Sequence, residues 1–304
     1  HAGVLMQALW MVLASFIFAT MSVCVKIASE NFNSAELVFY RGIIGMLFMW
    51  GLARSRGVSL VTKVPGMHVW RSTVGVMSLG AWFYAIAHLP LATAMTLNYM
   101  SSVWIAAFLI GGALMAWNPS RPGSGPVAQG PLVLTVLAGF AGVVMILRPT
   151  VDQQQGFAGM VGLLSGIGSA FAYMQVMALS KAGEPETRTV FYFAVGTVIA
   201  GALGMGVAGV SPFHWKPALW MLPIGVLASL GQLCMTRAYS QAATLVVANL
   251  QYSGIVFSAV YGVVLFGDLM SPMSWAGMAL VIASGIAATV LRERAAPDSP
   301  AEEH

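Results

Sequence analysis

Ten long stretches of this chain carry almost no charge, and that feature decides what the chain can fold into. They cover residues 5–27, 35–53, 69–88, 91–115, 130–148, 158–180, 188–209, 217–238, 243–266 and 273–291. A helix crossing a bilayer needs about 20 mainly apolar residues, and each stretch is close to that length or longer. Charged residues make up 8% of the chain, against roughly 25% in a soluble domain. A surface so poor in charge does not face water, so the excess apolar area faces lipid. Backbone polar groups in hydrocarbon must find partners within the membrane, which leaves helices or a closed barrel. Barrel strands alternate polar and apolar residues over about ten positions. Leu132–Leu147 and Met278–Leu291 are almost unbroken apolar runs, a pattern that rejects a barrel. The expected class is an all-α integral membrane protein of ten transmembrane helices.

Lysine and arginine set the expected orientation, because they accumulate in cytoplasmic loops. With the N-terminus inside, the cytoplasmic side receives Arg54, Arg56, Lys63, Arg71, Arg121, Lys181, Arg188, Arg237, Arg292 and Arg294. The other side receives Lys26, Arg41, Arg148 and Lys216. Ten against four is a clear bias, and both termini inside agrees with an even number of spans. The chain must turn near Pro90, since one helix through the third and fourth spans would be roughly 70 Å long. The positive charges sit at segment ends and form no basic stripe, so nucleic acid is not an expected partner. Cys24 and Cys234 fall inside apolar stretches and read as small buried side chains. No metal-ligand spacing is present, and no cofactor is expected.

The two halves resemble each other at an offset of 151 residues. Gly80 aligns with Gly231, Ala87 with Ala238, Ala92 with Ala243 and Thr93 with Thr244. Asn98 aligns with Asn249 and Ser102 with Ser253, while Arg148 aligns with Arg292 at an offset of 144. Residues 1–150 thus read as a first five-helix repeat, 151–292 as a second, and 293–304 as a disordered polar tail. Five spans begin on one side and end on the other, so the next five run in the opposite sense. Such inverted pairs support two related packings with a binding site between the repeats.

The stretch AIAHLPLATAMTLNYMSSVW in the first half, its second copy TRAYSQAATLVVANLQYSGIVFS, and FYRG at Phe39–Gly42 resemble the drug/metabolite transporter superfamily. The likeness is to its EamA-like ten-helix branch, within it most to the bacterial YddG-type amino-acid exporters, and covers nearly the whole chain. It implies a multi-pass protein of the bacterial inner membrane that exports aromatic and other neutral amino acids. The family's usual proline in the fourth and ninth helices is missing, with Ser102-Val103 and Ser253-Gly254 in its neighbourhood. A proline kink therefore does not carry over.

A transporter needs a cavity near the bilayer midplane, offering dipoles, hydrogen-bond partners and some apolar surface. Asn98 and Asn249 lie partway across their spans and must face protein or water, since an amide facing lipid loses its hydrogen bonds. Interhelical hydrogen bonding and cavity lining both satisfy them. Tyr99, Ser102, Gln251 and Tyr252 extend the polar stretch, and both tyrosines are deep enough to contact substrate. Trp82, Tyr84 and His88 are candidates on the third span, and Tyr173 is one on the sixth. Tyr84 and His88 share a helix face, where His88 serves as an interfacial hydrogen-bonding group or as a pH-sensitive one. Gln232, Ser15 and Ser22 are weaker candidates, because small polar residues also hold helices together. Lys26 and Arg41 flank the first external loop, where they would attract an anionic group, Arg41 in partnership with Glu36. No aspartate or glutamate sits near the middle of a span, and lysine and arginine are likewise expected near span ends. A buried carboxylate proton relay is therefore not expected. Gly162, Gly166 and Ala170, and Gly201 with Met205 and Gly209, recur at four-residue spacing and predict close helix packing.

The pattern favours a secondary exporter working by alternating access as a monomer, with a small molecule and membrane lipid as its partners. A membrane enzyme needs a nucleophile, metal cluster or convergent acid–base pair, and the spans offer none. A passive channel or facilitator for small metabolites is the alternative. It calls for a polar or charged stripe on several helices, whereas the polar positions here gather around the middle.

Overall fold

A computed structural model describes residues 2–88, 91–116, 130–148, 153–267 and 269–295. The turn near Pro90, the loop over residues 117–129, Asp268 and the chain beyond residue 295 lie outside the described residues. The helices are α1 (Ala2–Ala28), α2 (Ser34–Arg56), α3 (Pro65–His88), α4 (Leu91–Tyr99), α5 (Ser101–Ala116), α6 (Gly130–Leu147) and α7 (Gly156–Lys181). They continue with α8 (Glu186–Ala208), α9 (Trp215–Ala218), α10 (Met221–Gln241), α11 (Thr244–Leu250), α12 (Ser253–Phe266) and α13 (Pro272–Ala295).

Nine helices or joined helix pairs among the described residues are long and apolar enough to cross a membrane. The tenth rod is α3, whose 24 residues are more polar because it carries His68, Arg71 and several serines and threonines. Only 22–39% of each of the nine apolar segments is buried inside the protein. The remainder presents side chains such as Leu47, Leu164, Ile199, Leu203 and Val264 on the outside. An apolar coat of that extent fits hydrocarbon and not water. The chain is a multi-pass membrane protein.

Four expectations need correction. The third span begins at Pro65 and not at residue 69, because proline is well suited to the first helical position. The fourth and ninth spans are each interrupted. In the ninth, Tyr252, Gly254 and Ile255 donate to the carbonyls of Asn249, Gln251 and Tyr252 at 3.1, 3.2 and 3.0 Å. These three-residue reaches tighten one turn into 3-10 geometry, so the span is reshaped without proline. In the fourth, Met100 marks the interruption, yet Met100 and Trp104 keep four-residue hydrogen bonds at 3.1 and 2.9 Å. The last helix runs to Ala295 and so takes in the first three residues of the expected tail.

Packing follows a two-fold pattern. α3 lies along α7 as α1 lies along α10, while α2 pairs with α8 and α6 with α13. Exchanging each element for its partner in the other half maps these contacts onto one another. Small residues permit the approach: a Cβ at Gly166 would sit 2.5 Å from the Leu97 carbonyl oxygen, and one at Gly201 would sit 2.5 Å from the Phe39 backbone. The main core gathers around α11, whose residues Thr244 to Asn249 are all buried, with Tyr239, Tyr252 and Ile255 beside it.

The loops are tied in two groups. At one end, Glu184 after α7 lies 2.7 Å from His68 Nε2 and accepts from Arg188 Nη1 at 2.9 Å and Thr62 Oγ1 at 3.2 Å. Burial alone would raise the Glu184 pKa, but the hydrogen bonds from His68 and Arg188 outweigh it and hold it below 4.5. At the other end, Asn33 Nδ2 donates to the Gly209 carbonyl at 3.1 Å. Asn33 and Glu36 also form a reciprocal cap on α2, and the Ser211 N–H donates to Glu36 Oε1 at 3.2 Å. Glu36 is thus occupied as a cap and does not pair with Arg41, because its side chain folds back to the free N–H groups of its own helix start.

Candidate functional site

A cavity of about 230 Å³ opens between the two halves, bounded by α1, α2, α3, α4, α7, α8, α10, the tightened turn before α12 and the start of α12 itself. Trp82, Asn98, Tyr99, Tyr173 and Gln251, all expected site residues, line it. Ser15, Ser22 and Gln232 also reach it.

The polar wall on the second half centres on Gln251. Its Oε1 accepts from the Tyr239 hydroxyl at 3.1 Å and from Ser102 Oγ at 3.4 Å. Its Nε2 donates to the Tyr173 hydroxyl at 3.2 Å. Tyr173 and Tyr239 stack with ring centroids 5.2 Å apart. These bonds fix the amide at the cavity edge, in the tightened turn that joins α11 to α12. Across the cavity, Ser78 on α3 donates to the Ser165 carbonyl at 2.7 Å and lies 2.7 Å from Ser169 Oγ, tying α3 to α7. Asn98 Nδ2 reaches Ser165 Oγ at 3.4 Å, a long bond that leaves most of its hydrogen-bonding capacity for the cavity.

Five expected residues sit elsewhere. Asn249 is 1% exposed and donates to the Thr135 carbonyl on α6 at 2.7 Å. Tyr252 is fully buried and packs on Gly139 of α6. Ser102 is buried and donates to the Ala248 carbonyl at 2.7 Å, reaching the site only through Gln251. Tyr84 and His88 stack on each other at 4.1 Å on the exterior, where His88 Nδ1 lies 3.0 Å from the Tyr84 carbonyl oxygen. Lys26 lies outside the cavity too, its ammonium 3.9 Å from the Phe266 ring centre.

The expectation that every arginine stays near a span end fails at Arg41 and Arg71, both of which line the cavity. Earlier entry into α3 carries Arg71 a turn and a half into the helix, and it is 3% exposed. Phe193 covers its guanidinium at 4.2 Å. Pro65 was the available sequence signal, since it marks a helix start. Ser78 and Ser169 were also missed, and a serine within a small-residue helix face gives no signal that separates lining from packing.

This set of side chains offers hydrogen-bonding groups and aromatic surface suited to a small polar molecule. Comparison with known proteins agrees with that use. The EamA-like transporter family is matched over residues 5–111. Over 91% of this chain and 93% of its own length, the pseudopaline exporter CntI of Pseudomonas aeruginosa is 36% identical. The chain belongs to the EamA-like transporter family. Another relative, a riboflavin transporter of Rhizobium johnstonii, is 26% identical over 92% of this chain and 89% of its own length. A solved crystal structure superposes with a TM-score of 0.78, covering 95% of this chain and 99% of its own at 18% identity, which establishes the fold alone. Relatives named for such different cargoes show that membership of the family does not by itself fix the solute.

Proposed function

We propose that this EamA-like transporter is a secondary exporter that moves amino acids or related small metabolites outward by alternating access. The observation that carries this reading is the cavity between the halves, lined from both of them. Residues 1–150 and 151–292 act as two inverted repeats, and the two-fold exchange of helix contacts supports their rearrangement around that cavity. Trp82, Asn98, Tyr99, Tyr173 and Gln251 contact the solute, while Asn249, Ser102 and Tyr252 hold the walls. The sidedness read from lysine and arginine puts both termini in the cytoplasm of a bacterial inner membrane. The loop ties support the alternation of ends on which that reading relies, because α2–α3 meets α7–α8 at one end and α1–α2 meets α8–α9 at the other. A monomer suffices, since one chain encloses the cavity.

The test is flux of single amino acids and small organic acids in proteoliposomes of known orientation, with and without a pH gradient. Saturable, solute-dependent flux supports the reading. Its absence across the panel refutes it, and flux that rises without saturation points to a passive pore.

A further inference from the structure

The charge in the cavity is one-sided. Arg41 on α2 and Arg71 on α3 both line it, and no carboxylate among the described residues does. The ion pairs found among the described residues both involve Glu184 at the α7–α8 loop. A guanidinium is not deprotonated in a protein, so the lining carries two positive charges with no counter-charge of its own. Arg71 is also incompletely satisfied. Its buried Nε has no hydrogen-bond partner, and its Nη2 reaches Gln232 Oε1 only at 3.5 Å, the long limit for such a bond. A cation within a span is costly and marks a solute pathway. Room is kept for it: a Cβ at Gly75, one turn further along α3, would stand 2.4 Å from Arg71 Nη1 and 2.7 Å from the Phe193 ring.

We propose that Arg41 and Arg71 form an anion-binding pair and that the exported solute is a small organic acid with at least two carboxylates, amino diacids included. The proposal rests on the transport reading above and narrows its solute class, away from neutral amino acids. A guanidinium fork matches a carboxylate with two parallel hydrogen bonds, and two carboxylates balance the two cations. A neutral zwitterion brings one carboxylate, and its ammonium meets two cations and no acid. The neutral polar wall of Gln251, Tyr173 and Asn98 and the rings of Trp82 and Tyr99 receive the rest of the molecule. Gly75 is a positioning residue that lets the Arg71 guanidinium lie against Phe193.

The experiment is flux and competition in proteoliposomes, comparing acids with their neutral amides: L-glutamate against L-glutamine, and succinate against succinamide. The acids are expected to move or compete at least about tenfold better than their amides, the scale of one charge-assisted hydrogen bond. This comparison uses the wild-type protein and needs no variant to fold. Arg71→Gln and Arg41→Gln each raise the KM for the acid about tenfold or more, while Arg71→Lys keeps part of the affinity because it keeps the charge and loses the fork. Gly75→Ala changes no charge and still raises that KM several-fold by displacing the guanidinium. Amides handled as well as acids, or a double Arg41→Gln, Arg71→Gln variant with unchanged acid flux, overturn the anion pair. Saturable flux of neutral amino acids independent of both arginines overturns the pair and leaves the exporter reading standing. No saturable flux of any solute overturns both.

Discussion

Asn98 and Asn249 stand 151 residues apart, and each is the penultimate residue of the helix before an interruption, α4 in one half and α11 in the other. Asn98 faces the cavity with one long hydrogen bond to Ser165. Asn249 is enclosed and spends its amide on the Thr135 carbonyl of α6. Tyrosines near the two interruptions divide in the same way: Tyr99 lines the cavity and Tyr252 is buried against Gly139. The same depth in the membrane therefore serves a packed wall in one half and a cavity lining in the other. What differs is the neighbour. α11 is surrounded by α1, α5, α6, α10 and α13, whereas α4 presents a side to the open space. A third pair tells the same story at the bundle ends. Asn33 and Glu184 are also 151 residues apart; one ties its loop by a neutral bond to Gly209 and the other by an ionic cluster with His68 and Arg188.

Substitutions that treat the two sides alike sharpen or break this contrast. The largest effect is expected at Gly139→Ala, whose new methyl would stand 2.6 Å from the Tyr252 ring and 3.1 Å from Ser284 Oγ. Overpacking of that kind costs about 1–3 kcal/mol, read as a lower midpoint of thermal unfolding in detergent. Gly254→Ala crowds only the Tyr99 hydroxyl, at 2.8 Å, with Ser15 in ordinary contact at 3.6 Å; that hydroxyl is the far end of a side chain beside open cavity space. It should leave the midpoint nearly unchanged and alter solute KM. Equal destabilisation by both variants breaks the contrast.

Asn249→Ala comes next. It removes the buried hydrogen bond from Asn249 to the Thr135 carbonyl, which keeps its own helical partner, and costs about 0.5–1.5 kcal/mol, with the solute preference of the folded fraction unchanged. Asn98→Ala should cost no more than about 0.6 kcal/mol, the average for an interhelical polar contact, and yet slow flux. A solute preference altered by Asn249→Ala and untouched by Asn98→Ala reverses the assignment.

The smallest effect belongs to the loop ties. The Glu184 pKa is lowered in the folded protein, so its contribution is present above the ordinary value of 4.5 and disappears as pH falls through the depressed one. Wild-type stability should therefore drop in acid below that point by an amount that Glu184→Gln removes. The charged tie is worth about 0.2–1 kcal/mol near neutral pH. Asn33→Ala, at the neutral tie, should leave this acid limb intact. Melting curves across pH distinguish the two.

Helix content and the span limits were legible in the sequence because lipid imposes one requirement on every span; close packing was legible at Gly162, Gly166 and Gly201, but not at Gly209, which lies past the end of α8 with no neighbour within 4 Å. The ends matched within a few residues wherever polar residues bound them. Half of the candidate site was legible as well: Asn98, Tyr99, Trp82, Tyr173 and Gln251 reach the cavity. Depth can be counted along a chain, but rotation about the helix axis is set by neighbours that no local pattern names. For that reason Asn249, Tyr252 and Ser102 read like lining residues and are structural, while Tyr84 and His88 lie on the outside. The arginines were misplaced for a different reason. Charge normally marks a span end, and the rule gives way where a cation has a protein-lined space to enter.

α11 has one further consequence. Its residues from Thr244 to Asn249 have no face turned to lipid, and a close-packed interior transmits displacement without absorbing it. Any swing that exposes the cavity first to one side and then to the other must carry this short rod along with its neighbours, as an axle turns with its bearing. In such a swing the sliding would fall to surfaces that already meet hydrocarbon, such as the outward sides of α3 and α8 around Met77, Ile199 and Leu203, where bilayer chains can refill whatever gap a tilting helix leaves behind.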